Sequence, residues 1–409
     1  MKSLEMSRRL RLAKGITLLL LGAPTGVSAA DLVVDADFPN GSATVESIDQ
    51  TTRTVRLVPT KHLDRGWDCW WSFKLTGIEP GETITLDVGR APWATPDRAT
   101  FSLNGQTWLQ TAPGEHNGQR IVYQQKIDQT DAFFAWGPPF TTADAERLVE
   151  SIAGRSPHAE AFTLCTTREG RPTRALRIRE GDSTARRKGV WIQARQHAWE
   201  SGSSWVGKGF IEWLVSDEKA ATRLRQQATI VFVPIMDVDN VHRGAGGKNQ
   251  VPQDHNRDWT DTPYWRSVAA AQQLIRQMDQ NGEFDVFVDL HNPGPNNRQP
   301  YFYIPGDEVL SEARRTKLQE FLRISKEQIR GPLSFEGSVI PSGKKYDPQQ
   351  WQAISKNWVA THCREHVVSV TLETAWNTPN STTDGYRQVG RELGQSISRF
   401  LLESRSADE

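Results

Sequence analysis

"WIQARQHAWESGSSWVGKGF", residues 191–210, runs from apolar residues into His197 and Glu200, three positions apart, and then into a Ser/Gly patch. The apolar part reads as a strand and the part after Glu200 as a helix, with Ser203 or Ser204 placed to cap it. His-x-x-Glu is a weak motif alone, and a surface turn with two polar residues would also account for it. What decides is that this run is one of four: "GVWIQA" (189–194), "ATIVFVPI" (228–235), "FDVFVDL" (284–290) and "EHVVSVTLE" (365–373). Helical stretches such as "SSWVGKGFIEWLVSD" and "PYWRSVAAAQQLIRQMDQ" lie between them. Near-continuous apolar strands alternating with helices predict an α/β fold: a mixed, largely parallel sheet with helices on both faces.

Each run ends in polar residues. The first leads to His197 and Glu200, the second to Asp237, Asp239 and Asn240, the third to His291, and the fourth ends at Glu373. Ligands of open α/β sheets bind outside the carboxyl ends of the strands. Two His and one Glu are a standard ligand set for one Zn²⁺ ion in a hydrolase, leaving a position for water. His197, Glu200 and His291 are therefore the expected metal ligands. Glu373 is the expected general base, a carboxylate able to take a proton from the attacking water.

Residues 31–140 differ in pattern. "TVRLVP", "WWSFKLTG", "TITLDVG" and "ATFSLNG" are short alternating runs punctuated by Gly, Pro and Asn, which predict a small all-β sandwich domain. "FFAWGPPFTTADAERLVESIAG" passes through a Gly-Pro-Pro break into a helix near Thr142, which places the domain boundary at 140/141 and a catalytic domain over 141–409. Tryptophans such as those in "DCWWSF" are expected in the sandwich core. At the start, basic "MSRRLRLAKG", apolar "ITLLLLGAPTGV" and small "VSAAD" read as a signal peptide over residues 1–30. The apolar stretch is well short of the ~20 residues that span a bilayer. Export to a periplasm or the extracellular space is the expectation, with no membrane span after cleavage.

Lys+Arg and Asp+Glu both number 49, so no global field favours nucleic acid or anionic lipid. The three cysteines, Cys69, Cys165 and Cys363, share no CxxC spacing, which excludes a zinc ribbon; one disulfide with a leftover thiol stays open.

"RQHAWESGSSWVGKGFIEWLVS" resembles the zinc-binding segment of the zinc metallocarboxypeptidases, in particular their cytosolic-carboxypeptidase-like branch. The resemblance continues, in order, through "VPIMDVDNVHRG", "DHNRDW", "DLHNP" and "TLET". Upstream, "FFAWGPPFT" and "TREGRPTRALRI" are similar to the junction between that branch's β domain and its catalytic domain. It implies His197, Glu200 and His291 as zinc ligands, Glu373 as the catalytic glutamate, and Asn256 with Arg257 as the pair that grips a substrate's terminal carboxylate. A guanidinium suits that role because it can hold a carboxylate in bidentate fashion; Arg257 could instead pair with Asp254 or Asp258. The chain departs from the family pattern at three points. The arginine that polarises the scissile carbonyl has no clear counterpart, leaving Lys248 or Arg243. Position 255 is His where an apolar residue is usual. Tyr346, in "PSGKKYDP", is the nearest candidate for the family's mobile tyrosine.

The expected activity is that of an exported zinc carboxypeptidase cleaving the C-terminal amide of a peptide or cell-wall-type peptide with a free carboxylate. Alternatives are a zinc-dependent deacylase of small N-acyl compounds, or a catalytically dead protein that binds through its β domain.

Overall fold

The computed structural model describes residues 30–89, 95–181 and 186–403. The expected signal peptide, apart from Ala30, lies outside the described residues. Among them, no helix is long and apolar enough to cross a membrane.

The N-terminal part is built of β1 (Val33–Asp35), β2 (Thr44–Asp49), β3 (Thr54–Val58), β4 (Ser72–Thr76), β5 (Glu82–Gly89), β6 (Thr100–Ser102), β7 (Leu109–Gln110), β8 (Glu115–Asn117), β9 (Arg120–Ile127) and β10 (Asp131–Ala135). They form two five-stranded sheets, in the orders β1-β4-β10-β6-β7 and β2-β3-β5-β9-β8. All pairings are antiparallel except β3 with β5. The period-2 alternation turns Val55 and Leu57 of β3, Leu86 and Val88 of β5 and Ile121 and Tyr123 of β9 inward. They meet Phe73 and Leu75 of β4 and Phe134 of β10 in one core, a sandwich. Trp70 and Trp71 are buried in it, as expected.

The rest of the chain carries α1 (Thr142–Arg155), β11 (Ala159–Thr166), β12 (Pro172–Ile178), β13 (Lys188–Ala194), α2 (Ser201–Leu214), α3 (Lys219–Gln227), β14 (Ala228–Val233), α4 (Val238–Arg243), α5 (Arg266–Gln280), β15 (Val286–His291), β16 (Tyr301–Ile304), α6 (Glu312–Gln328), β17 (Val339–Pro341), α7 (Ser355–His362), β18 (Val368–Glu373) and α8 (Thr383–Glu403). The break into α1 is a capping box: Thr141 caps the Asp144 amide, and Asp144 accepts from the Thr141 amide. The eight strands form one mixed sheet, ordered β11-β12-β14-β13-β15-β18-β16-β17. Its centre, β14-β13-β15-β18, is parallel throughout, and β12 and β16 flank that centre antiparallel.

Both faces of the central strands are covered, which is why they read as continuous apolar runs. Val190, Ile192, Val288 and Leu290 join a core with Val206 and Phe210 of α2 and Leu393 of α8. Trp191, Phe287 and Val231 face the other way, against Val268 and Ile275 of α5 and Trp358 of α7. From β13 the chain crosses to β14 on one side, then returns to β15 on the other. The connections thus diverge at the C-terminal ends of β13 and β15, where such sheets open a crevice.

Candidate metal centre

The chain leaves β13 through Arg195, whose φ of 61° is in the left-handed region. For a residue with a Cβ that conformation costs on the order of 1–3 kcal/mol and must be held by its surroundings. Here the fully buried guanidinium holds it, its Nε donating to Ala198 O at 2.9 Å and Nη1 to Phe140 O at 3.1 Å. The resulting tight turn brings His197 back over Glu200. Sequence reasoning had Ser203 or Ser204 capping α2, and this does not occur. Ser203 Oγ donates to Glu200 O at 2.7 Å and Ser204 Oγ to Pro234 O at 2.8 Å. The Ser203 amide is capped instead by Asn292 Oδ1, at 3.0 Å, from the far side of the crevice. Gly202 is required at this helix start, because a Cβ there would come within 2.5 Å of the Tyr386 ring.

His197, Glu200 and His291 converge, with ligand atoms within 4.8 Å of one another and all three residues buried. Both imidazoles present Nδ1 to the same carboxylate: His197 Nδ1 is 2.7 Å from Glu200 Oε1, and His291 Nδ1 is 2.8 Å from Glu200 Oε2. Burial alone would raise the Glu200 pKa, but the two facing imidazoles outweigh it and hold the carboxyl down at about 2. The outer nitrogens meet buried carboxylates. His291 Nε2 lies 3.0 Å from Asp289 Oδ2, and His197 Nε2 lies 3.4 Å from Asp254 Oδ1. Burial opposes the protonated form of His291, yet Asp289 and Glu200 keep its pKa well above the usual histidine value. Asp289 also accepts from Ser355 Oγ at 2.6 Å and from the side chains of Gln193 and Gln196. Such outer partners fix the ring orientation of metal-binding histidines.

Glu373 sits beside His291, its register partner in the adjacent parallel strand. Its Oε2 is buried without a hydrogen-bond partner among the described residues, and burial first, then the Glu200 charge, pushes its pKa up to about 8 against the opposing pull of His291. Two imidazole Nδ1 atoms and a carboxylate drawn to one point, beside an orphaned carboxylate oxygen, fit a divalent cation with an adjacent base.

Asn256 and Arg257 lie in a 3-10 turn at His255–Arg257. Asn256 Nδ2 is 3.4 Å from His291 Nε2, and its Oδ1 accepts from the Ser355 amide at 2.9 Å. Arg257 pairs with neither Asp254 nor Asp258. Its Nε donates to Asp347 Oδ2 at 3.0 Å, in the loop that also carries Tyr346. The three departures also find places. His255 packs, stacked on Trp265 with ring centroids 4.7 Å apart. Arg243 binds Glu169 at 2.8 Å, whereas Lys248 Nζ lies 3.4 Å from His197 Nε2 and 3.6 Å from Asp254 Oδ2. Tyr346 is 45% exposed and meets Tyr303, which meets Tyr301, the antiparallel partner of Glu373.

Lys248 is held from outside the catalytic sheet. Trp67 N donates to Lys248 O (3.0 Å), Gly247 N to Arg65 O (2.8 Å) and Val251 N to Asp64 O (3.0 Å), so a sandwich loop forms part of the crevice wall. Gly247, at φ 79°, is where the walls close: a Cβ there would meet Asp237 Oδ2 at 2.6 Å and Ala198 N at 2.8 Å.

Sequence reasoning passed over Asp289, Asn292 and Lys356, and named Asp254 only as a partner for Arg257. Asp289 and Asn292 flank His291 by two positions and one, and that proximity was the available signal. Lys356 is buried at the start of α7 with its Nζ 5.4 Å from the Tyr303 ring centroid, and nothing local marks it. Cys69, Cys165 and Cys363 are all free thiols.

The sequence model of the family described as zinc carboxypeptidase matches residues 145–374. An uncharacterized protein of Zymomonas mobilis is 25% identical over 379 residues, covering 91% of this chain and 95% of that protein. Cytosolic carboxypeptidase 3 of Mus musculus is 27% identical over 188 residues; the match covers 44% of this chain but only 18% of the mouse protein. Among solved structures, a putative carboxypeptidase of Burkholderia mallei superposes with a TM-score of 0.80 at 20% identity, over 92% of this chain and 98% of that one. A metallo-carboxypeptidase of Pseudomonas aeruginosa, solved with (2-guanidinoethylmercapto)succinic acid, gives 0.74 at 21% identity, over 91% and 100%. At such identities the solved structures speak for the fold, whereas the family model spans more than half of the sequence. The chain belongs to the zinc carboxypeptidase family.

Proposed function

We propose that the protein is an exported carboxypeptidase that hydrolyses the C-terminal amide of a peptide or cell-wall-type peptide, with one zinc ion held by His197, Glu200 and His291. The observation that carries this reading is the meeting of both Nδ1 atoms with Glu200, next to the unpartnered Oε2 of Glu373. A zinc ion in such a site supplies Lewis acidity, polarising a carbonyl and bringing the pKa of a water molecule near 7. Asp254 and Asp289 hold the two imidazoles in orientation. Glu373 takes the proton of the attacking water and delivers it to the leaving amine.

Arg257 and Asn256 bind the terminal carboxylate of the substrate. The Arg257–Asp347 ion pair supports this, since it already presents that guanidinium to a carboxylate. Export rests on the basic, apolar and small-residue order of residues 6–31, and the catalytic part is taken to begin at residue 141, after the sandwich.

Mass spectrometry of a mixed peptide library, before and after incubation with zinc-loaded protein, tests the reading. Loss of single C-terminal residues is expected. Intact peptides together with release of acyl groups from small N-acyl amino acids would favour the deacylase instead. N-terminal sequencing of protein recovered outside the cytoplasm, beginning near Asp31, is the expected result for export.

A further inference from the structure

Three tryptophans from three distant parts of the chain close on one another behind the candidate metal centre. Trp136 follows the last strand of the sandwich and is tied to it by its amide, which donates to Trp71 O at 2.9 Å. Trp199 lies inside the His197–Glu200 turn. Trp376 lies three residues beyond Glu373. The Trp136 ring centroid is 4.4 Å from that of Trp376 and 5.2 Å from that of Trp199, the latter pair edge to face, and Trp199 and Trp376 are 6.0 Å apart. All three are at most 5% exposed and belong to the hydrophobic core of the sandwich, not to either core of the larger sheet. The Trp376 indole N–H also donates to Pro293 O at 2.6 Å, two residues beyond His291.

One side chain therefore touches all three segments that bear the candidate site. Trp376 packs on the turn with His197 and Glu200, hydrogen-bonds the segment after His291, and is itself joined to Glu373 through two residues. Its platform, Trp136, belongs to the sandwich. Aromatic pairs prefer particular relative geometries, and Trp199 meets both Trp136 and Trp376 edge to face; buried indoles in a dense core have little room to reorient.

We propose that Trp376 and Trp136 are positioning residues of the metal centre, through which the sandwich fixes the distance between the His197–Glu200 turn and the segments bearing His291 and Glu373. The sandwich is then part of the catalytic apparatus, and not only an appended binding module. This rests on the metal reading given above. It predicts that loosening the indole cluster impairs metal affinity and geometry more than it impairs folding.

The test uses the full chain, stripped of metal and titrated with Zn²⁺ against a chromophoric chelator and with Co²⁺ by visible absorption. Trp136→Leu and Trp376→Leu are expected to weaken zinc binding by about 10- to 100-fold, the range seen when outer supports of metal ligands are removed, and to shift the cobalt bands. Trp136→Phe, which keeps a ring, restores most of the affinity. Trp376→Phe keeps a ring but loses the donor to Pro293, and falls in between. Phe73→Leu is the control: Phe73 is fully buried in the same core, packed on Trp71 and Phe134. It should lower the melting temperature yet leave zinc affinity nearly unchanged.

If the leucine variants do not fold, Trp376→Phe carries the test, with a loss of affinity expected because its donor to Pro293 is gone. Unchanged zinc affinity and cobalt spectra in the leucine variants, or in Trp376→Phe where those do not fold, would overturn the proposal. So would an equal loss in Phe73→Leu. A wild-type chain that binds neither ion would instead overturn the metal reading, so the two failures are distinguishable.

Discussion

His197, Glu200 and His291 are 4%, 3% and 1% exposed, whereas Arg257, across the same crevice, reaches Asp347 in a loop whose Tyr346 is 45% exposed. On the metal side each imidazole is held at both nitrogens, by Glu200 within and by Asp289 or Asp254 outside. On the carboxylate side one ion pair links a turn to a loop. A metal ion needs ligands that do not move between turnovers. In the proposed function a substrate carboxylate has to enter and leave at Arg257, and a partner that can be exchanged suits that role. Asp347 is Arg257's present partner; its partial burial would raise its pKa, but the Gln350 amide and Arg257 outweigh that and hold it below the ordinary Asp value.

The contrast breaks first at Glu373, the proposed base. Glu373→Gln keeps the shape of the site but cannot take a proton, so turnover should fall by about 10²–10⁴-fold. Zinc content, measured on the same samples, should stay at the wild-type level. Asp289→Asn attacks the metal side from outside by removing the carboxylate behind His291. Zinc affinity should fall by about 10- to 100-fold in a competition titration.

Lys356 tests the carboxylate side for hidden strain. Burial first, then the nearby Arg257 charge, lowers its pKa to about 7 against an unfolded value near 10.5. Below pH 7 both states carry the proton. Between about 7 and 10.5 the unfolded chain binds it and the folded one does not, so this group makes stability rise with pH, by up to ~1.4 kcal/mol per unit. Urea denaturation across that range should show Lys356→Met flattening the rise. The smallest effect is expected from Asp347→Asn. It releases Arg257 from a partly exposed ion pair worth up to about 1 kcal/mol, so KM for a peptide should drop by no more than about fivefold with kcat unchanged.

The four central strands were legible because both of their faces are covered, which leaves an uninterrupted apolar signature in "FDVFVDL" and its counterparts. The flanking strands were not. β11 mixes half-buried with exposed residues and has none fully buried, and neither it nor β16 or β17 carries a run that outweighs loop composition. The candidate ligands were visible because they fall at the ends of legible strands. Their outer partners were not, since Asp289 sits inside an apolar run and Asp254 acts across 57 positions. The misread serines show the limit of local rules: the helix start they precede is capped by Asn292, which only the folded sheet brings near.

The backbone bonds between residues 64–67 and 247–251 join a loop of the sandwich to a segment made after half the strands of the larger sheet. Contacts this far apart close late, because loop entropy must be overcome before they give anything back. A nascent chain can therefore pair the strands of its sandwich and remain without a finished crevice. Competence to retain zinc then becomes a timestamp, marking the moment when the sandwich loop and the crevice close on each other.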